Sequence, residues 1–220
     1  MVKLAHIRYG SGENILFLHG WGGNSSSLFC FSRALQNEFT TTLVDFSGEW
    51  QRTFNDYVDG VKEIIDHYGM ENVIIVGHSF GGKVAMALSI KYPYLVQKLV
   101  LLSASGIKPR RGVIFKLKLL YNKIFKSDKF ASSDYSALSP TMKRTFVDIV
   151  NTHLNKNLNK ISTKTLLIWG NKDKETPIYM ARKLNRKIAN SRLIIHKGSH
   201  FSYLENYCQT LREIKKFIGE

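Results

Sequence analysis

Read for where apolar and polar residues fall, the chain resolves into short, strongly hydrophobic runs separated by longer amphipathic ones. Val2 to Tyr9 alternates loosely and predicts a strand ended by Gly10-Ser11-Gly12. Asn14 to Leu18 and Thr40 to Phe46 are more continuously apolar, as strands covered on both faces are. Between them, Asn24, Ser25 and Ser26 offer N-cap residues for a helix reaching about Gln36. Thr53 to Tyr68 gathers Phe54, Tyr57, Val58, Val61, Ile64 and Ile65 on one side, the signature of an amphipathic helix. Val73 to Val76 predicts another buried strand, Lys83 to Ile90 the helix after it, and Val96 to Leu102 a further strand. Strand and helix alternate through short connections, so the expected fold is α/β, a doubly wound and mostly parallel sheet.

That rhythm breaks at Ile107. From there to about Thr163 no strand pattern appears, while Val113 to Phe125 and Thr141 to Leu154 read as helices. Thr165 to Trp169 returns to the sheet, Thr176-Pro177 caps a helix to about Ala189, and Leu193 to His196 is the last strand. A final helix runs from roughly Tyr203 to Ile218. The expected organisation is one domain: a core of residues 1–106 and 164–220, with residues 107–163 inserted between two late strands as a small helical cap.

Composition bounds this picture. At 220 residues and 44% hydrophobic content, the chain can bury a large single core. No apolar run approaches the ~18–20 residues of a membrane span, and Met1 to His6 lacks the continuous apolar segment of a signal peptide. The two cysteines, Cys30 and Cys208, have no metal-ligand spacing and read as small buried hydrophobes in a reduced, cytoplasmic protein. Net charge is +15, and all of the excess lies late: residues 1–106 carry −1 and residues 107–220 carry +16. Lys108 to Lys129 holds eight basic residues against Asp128 alone, interleaved with Ile114, Phe115, Leu117, Leu119 and Leu120. Two readings stand. Either the segment is a lid whose lysines face water, or it meets an anionic membrane surface or an acidic carrier protein. Nucleic acid is not expected, because no recognition motif accompanies the charge.

Chemistry concentrates at strand ends. Gly77-His78-Ser79-Phe80-Gly81 is a G-x-S-x-G turn directly between a predicted strand and a predicted helix. Such a turn is too tight for ordinary side chains; Gly77 and Gly81 leave room, and Ser79 is expected in strained dihedrals with its hydroxyl outward. A serine needs a base to take its proton and a carboxylate to orient that base. Asp173 and His200 follow the last two strands, and in a parallel sheet those loops share the carboxyl edge with Ser79. His196 falls within its strand, Glu175 lies two residues past Asp173, and Ser103-Ala104-Ser105-Gly106 offers no rival carboxylate. His78 is read as packing the turn, and His19 as bracing the Gly20-Trp21-Gly22-Gly23 loop after the second strand.

Together H-G-W-G-G at 19–23, G-H-S-F-G-G at 77–82, W-G-N-K-D-K-E-T-P at 169–177 and G-S-H-F-S-Y-L-E at 198–205 resemble the α/β-hydrolase family. The resemblance implies Ser79 as nucleophile, His200 as general base then acid, Asp173 as its orienting carboxylate, and the backbone N–H groups of Trp21 and Phe80 as oxyanion hole. It implies a serine hydrolase acting on a small carboxylic ester through an acyl-enzyme, with no metal or organic cofactor. The H-G-W-G start and basic cap are similar to small bacterial esterases such as those cleaving pimeloyl-acyl carrier protein methyl ester, for which an acidic carrier would be the partner. Serine at 79 sets the chain apart from the dehalogenase and epoxide hydrolase branches. Carbon–carbon hydrolysis of the meta-cleavage type, thioester or carrier-ester hydrolysis, and a non-catalytic receptor remain alternatives. The short loop after Asp45-Phe46-Ser47-Gly48 and the small cap imply an open or shallow pocket.

Overall fold

In the computed structural model, which describes residues 4–48, 53–110 and 138–220, seven strands form one sheet in the order β1-β3-β2-β4-β5-β6-β7. They are β1 (Ala5–Tyr9), β2 (Glu13–Leu18), β3 (Phe39–Asp45), β4 (Val73–His78), β5 (Val96–Leu102), β6 (Lys164–Gly170) and β7 (Ser191–His196). Only β1 runs against its neighbour, pairing Ile7 with Leu43 on β3; the pairs from β3 through β7 are parallel. The expected doubly wound, mostly parallel sheet is what forms.

Alternation along the central strands divides the core in two. Leu16 and Leu18 of β2 and Ile75 of β4 face α2 (Phe54–His67) and α3 (Phe80–Lys91), against Val61, Val84 and Leu88. Ile15 and Phe17 of β2, with Ile74 and Val76 of β4, turn to the other face and meet Phe31 and Leu35 of α1 (Phe29–Leu35). Because side chains point to opposite faces at successive positions, both sides of these strands must be apolar, which is why they read as unbroken hydrophobic runs. Thr53 caps α2: its hydroxyl accepts from the Asp56 amide while the Asp56 carboxylate accepts from the Thr53 amide.

Several boundaries differ from the sequence reading. Asn24 caps a short 3-10 turn, Ser25–Leu28, which leads into α1 in place of one continuous helix. The helix α3 starts at Phe80, not Lys83, because the elbow turns within a single residue. The helix after β6 is α5 (Ile178–Lys187), and Thr176 does not cap it; its hydroxyl is spent on other partners described below. The last helix divides into α6 (Ser202–Glu205) and α7 (Tyr207–Gly219) at Asn206, whose side-chain amide donates to the Lys197 and Ser202 carbonyls. In the cap region, α4 (Pro140–Asn151) matches the second expected helix, capped by the Ser139 hydroxyl with Pro140 at its first position. The expected helix at Val113 to Phe125, and with it most of the basic segment, lies outside the described residues.

No helix among the described residues is long and apolar enough to cross a membrane.

Candidate active site

The carboxyl ends of four parallel strands are tied side by side by backbone bonds. Ser79 N donates to Leu102 O at 3.0 Å, Ser103 N to Ile168 O at 3.0 Å, and Asn171 N to His196 O at 2.9 Å. Loops carrying Ser79, Ser103, Asp173 and His200 therefore emerge along one edge.

Ser79 joins β4 to α3 with φ 48° and ψ −109°, a positive-φ conformation that costs a non-glycine residue on the order of 1–3 kcal/mol. The strain is held from outside: the Ser105 and Lys83 amides donate to the Ser79 carbonyl at 2.9 and 3.2 Å. Gly81 is required by close approach, since any Cβ there would run into the Leu18 carbonyl of the neighbouring strand. Gly77 is required likewise; its Cβ would stand 2.7 Å from the backbone of Gly82. The expectation of a strained serine between two obligatory glycines holds.

Across the edge, His200 Nδ1 lies 2.9 Å from Asp173 Oδ2, and both residues are buried. The Nδ1 proton must point at the carboxylate, which leaves Nε2 with a free lone pair. Asp173 has further donors: the Thr176 amide reaches Oδ1 at 2.8 Å, and the Thr176 hydroxyl lies 2.8 Å from Oδ2 and 3.0 Å from the Ser103 carbonyl, the two acceptors for its one proton. Burial raises the Asp173 pKa, but the bonds from His200 and Thr176 outweigh it and hold the carboxyl below its ordinary range. The Trp169 indole N–H donates to the Thr176 carbonyl at 2.6 Å, fixing the loop from below. On the other loop Glu205 accepts from both the amide and the hydroxyl of Ser199, one residue before His200.

His78 and His19 behave as packing and bracing groups. The His78 ring is 4.8 Å from that of His200 and 4.7 Å from that of Tyr203; burial and the neighbouring His200 push its pKa down to about 3, so it stays neutral. His19 Nε2 accepts from the Phe46 amide at 2.8 Å and its Nδ1 donates to the Gly20 carbonyl at 2.7 Å, pinning the loop that carries Trp21. Burial lowers the His19 pKa as well. A Cβ on Gly20 would stand 2.8 Å from His78 Nδ1 and 3.4 Å from Ser79 Cβ, so this loop runs directly over the elbow.

Beside Ser79 lies a cavity of about 180 Å³, walled by Trp21, Phe80, Ile107, Phe146, Ile149 and Met180. The Trp21 ring packs edge-on against Phe80 at 5.8 Å and, tilted, against Phe146 of α4 at 5.6 Å. A second hollow of about 190 Å³ opens on the far side of Trp21, toward His19, Phe46 and Met142. The two hollows share the Trp21 ring as a wall.

A family model for the alpha/beta hydrolase fold matches residues 13–133.

The chain belongs to the alpha/beta hydrolase fold family.

It is a hydrolase. Its match to an uncharacterized protein of Mycobacterium tuberculosis, 35% identical over 118 residues, covers 50% of this chain and spans about a third, 35%, of that relative. The pimeloyl-[acyl-carrier protein] methyl ester esterase of Wigglesworthia glossinidia brevipalpis is 28% identical over 249 residues, covering 94% of this chain and 96% of its own. Among solved structures, an esterase from Exiguobacterium antarcticum superposes with a TM-score of 0.82 at 18% identity, over 99% of this chain and 96% of that one, a likeness of fold.

Asp173, Glu175 and His200 each bring a ligand atom within 4.8 Å of the others. Asp173 and His200 are already bonded to each other, and Glu175 is exposed, so the trio makes a poor metal cage. Three contributors escaped the sequence reading. Thr176 looked like a helix cap, Trp169 like sheet filling, and Lys83 like an ordinary helix residue. Lys83 is 3% exposed, and burial pushes its pKa down to about 8 against the opposing pull of Asp148.

Proposed function

We propose that the protein hydrolyses a small carboxylic ester through a covalent acyl-enzyme formed on Ser79. The buried Asp173–His200 hydrogen bond at 2.9 Å, on the same sheet edge as the strained Ser79, carries this reading. His200 Nε2 takes the Ser79 hydroxyl proton as Oγ attacks the ester carbon, and the carbonyl π pair moves onto oxygen. The resulting oxyanion is met by the backbone N–H groups of Phe80 and Trp21. Each such donor is worth ~2.7–4 kcal/mol in the transition state. Collapse expels the alcohol, which receives the proton from imidazolium. Water then enters, gives its proton to His200 and attacks the acyl carbon, and Ser79 leaves with that proton as the carboxylic acid departs. Asp173 keeps its negative charge throughout, stabilising the imidazolium that forms twice per turnover, and Thr176 keeps Asp173 aimed.

The cavity beside Ser79 takes the acyl group. At about 180 Å³ it suits short to medium chains. The test is hydrolysis of p-nitrophenyl esters from two to sixteen carbons by wild type and by Ser79→Ala, with fluorophosphonate labelling of both. Turnover and labelling that vanish together in the variant support the reading; hydrolysis that survives Ser79→Ala refutes it.

A further inference from the structure

Among the described residues Lys83 is the one lysine or arginine that is buried. It stands one turn after Ser79 on α3 and borders the same cavity. Its ammonium donates to the Ile149 carbonyl, itself on that cavity's wall, and lies 4.8 Å from the centre of the Phe54 ring. Among the described residues no carboxylate forms an ion pair with it. Asp148, the acid that acts on it electrostatically, accepts from the Phe54 amide at 2.6 Å and forms no ion pair with Lys83. An ammonium has three protons to donate, and one carbonyl uses one of them. Burying a cation with no counter-ion among the described residues is costly, and a methionine of similar length would fill the space without that cost. A charge kept at such expense beside a substrate cavity is complementary to an anion that arrives with the substrate. Trp21, Phe80, Ile107 and Met180 on the cavity wall favour an alkyl stem between that anion and the ester, while His153 and Glu175 also border the cavity.

Resting on the acyl-enzyme reading above, we propose that the substrate's acyl group carries a carboxylate and that Lys83 binds it, making the enzyme selective for half-esters of aliphatic dicarboxylic acids. Lys83 is a specificity-determining residue in this scheme and takes no part in proton transfer at Ser79.

The experiment compares p-nitrophenyl hydrogen adipate with p-nitrophenyl hexanoate, equal in chain length and differing in the terminal carboxylate, each corrected for the background seen with Ser79→Ala. The quantity read is the ratio of kcat/KM for the two esters in wild type, Lys83→Met and Lys83→Arg. Wild type is expected to prefer the adipate ester by tenfold or more, Lys83→Met to lose at least tenfold of that ratio, and Lys83→Arg to keep most of it. A wild-type ratio at or below one, or a ratio unchanged in Lys83→Met, overturns the proposal. The second outcome would make Lys83 a strut between α3 and α4 only. If wild type cleaved neither ester, the acyl-enzyme reading would fall, and Lys83 would be read by calorimetry with monomethyl adipate. Binding to wild type that Lys83→Met abolishes would then sustain its role, and no binding to wild type would end it.

Discussion

The two flanks of Ser79 are held by different physics. On one side, Asp173, Thr176 and His200 form a connected hydrogen-bonded set anchored by the Trp169 indole, and Glu205 separately holds Ser199, the residue before His200. On the other, Trp21 packs its ring against Phe80 and Phe146, and Lys83 borders the same cavity. Hydrogen bonds to charged groups are directional and fail steeply when a partner is lost, whereas apolar packing degrades in proportion to the area removed. The first flank therefore suits a reaction that tolerates one geometry, and the second suits a fit that can be retuned residue by residue.

The contrast is broken most severely by removing the chemistry itself. Ser79→Ala should lower kcat by on the order of 10⁶, and Asp173→Asn by about 10⁴ through the wrong imidazole tautomer. Steady-state ester hydrolysis with unchanged far-UV circular dichroism checks both. One step down, Thr176→Val removes the hydroxyl beside Asp173 Oδ2 but keeps the amide bond to Oδ1. A lost bond to a charged group costs ~1.5–3 kcal/mol, so kcat should fall roughly 10- to 150-fold with little change in KM. A drop confined to KM would move Thr176 out of the polar flank.

Phe146→Ala sharpens the other side. It removes the ring packed on Trp21, worth ~0.5–1.5 kcal/mol beyond its area, and lets the indole swing between the two hollows it separates. The expected result is a shift of the p-nitrophenyl ester optimum to longer acyl chains, with kcat on its best substrate reduced by less than tenfold. A fixed optimum would show that Trp21 is held by the sheet alone.

The smallest effect concerns pH. Burial raises the Asp45 pKa, but donations from the Ser47 and Ser25 amides and the nearby His19 outweigh it and bring the carboxyl to about 2, below its usual 3.8. A carboxyl depressed by folding contributes stability that is complete above the unfolded value and disappears as pH falls through the folded one. Between pH 4 and 2 the urea midpoint should thus decline in wild type, and less steeply in Asp45→Asn. Parallel curves would show that Asp45 does not link the Trp21 loop to stability.

How much of this was legible in the sequence follows the same division. Gly77, Ser79 and Gly81 could be read because a turn this tight admits few residue types, and a residue type is what a sequence displays. Asp173 and His200 could be read because strand ends in a parallel sheet share an edge. The chain order supplied the rest. Thr176 could not be told from a helix cap, because its decisive partners, Asp173 and the Ser103 carbonyl, meet it only after β5 and β6 pair. Lys83 sits in K-V-A-M-A-L, where nothing local says that α4 will cover it. The break at Asn206 was hidden for a similar reason, since the Lys197 carbonyl that draws its amide away belongs to another loop.

The positive φ of Ser79 also sets a direction for evolution. Glycine adopts φ 48° freely, so Ser79→Gly relieves strain on the order of 1 kcal/mol or more while deleting the hydroxyl. A lineage selected for thermal endurance alone would find that exchange favourable, and a laboratory screen for heat resistance without an activity readout would enrich it. Serine at this position thus stands against a physical bias toward glycine, and loss of the residue 79 hydroxyl in a more heat-resistant variant is the trade that this backbone invites.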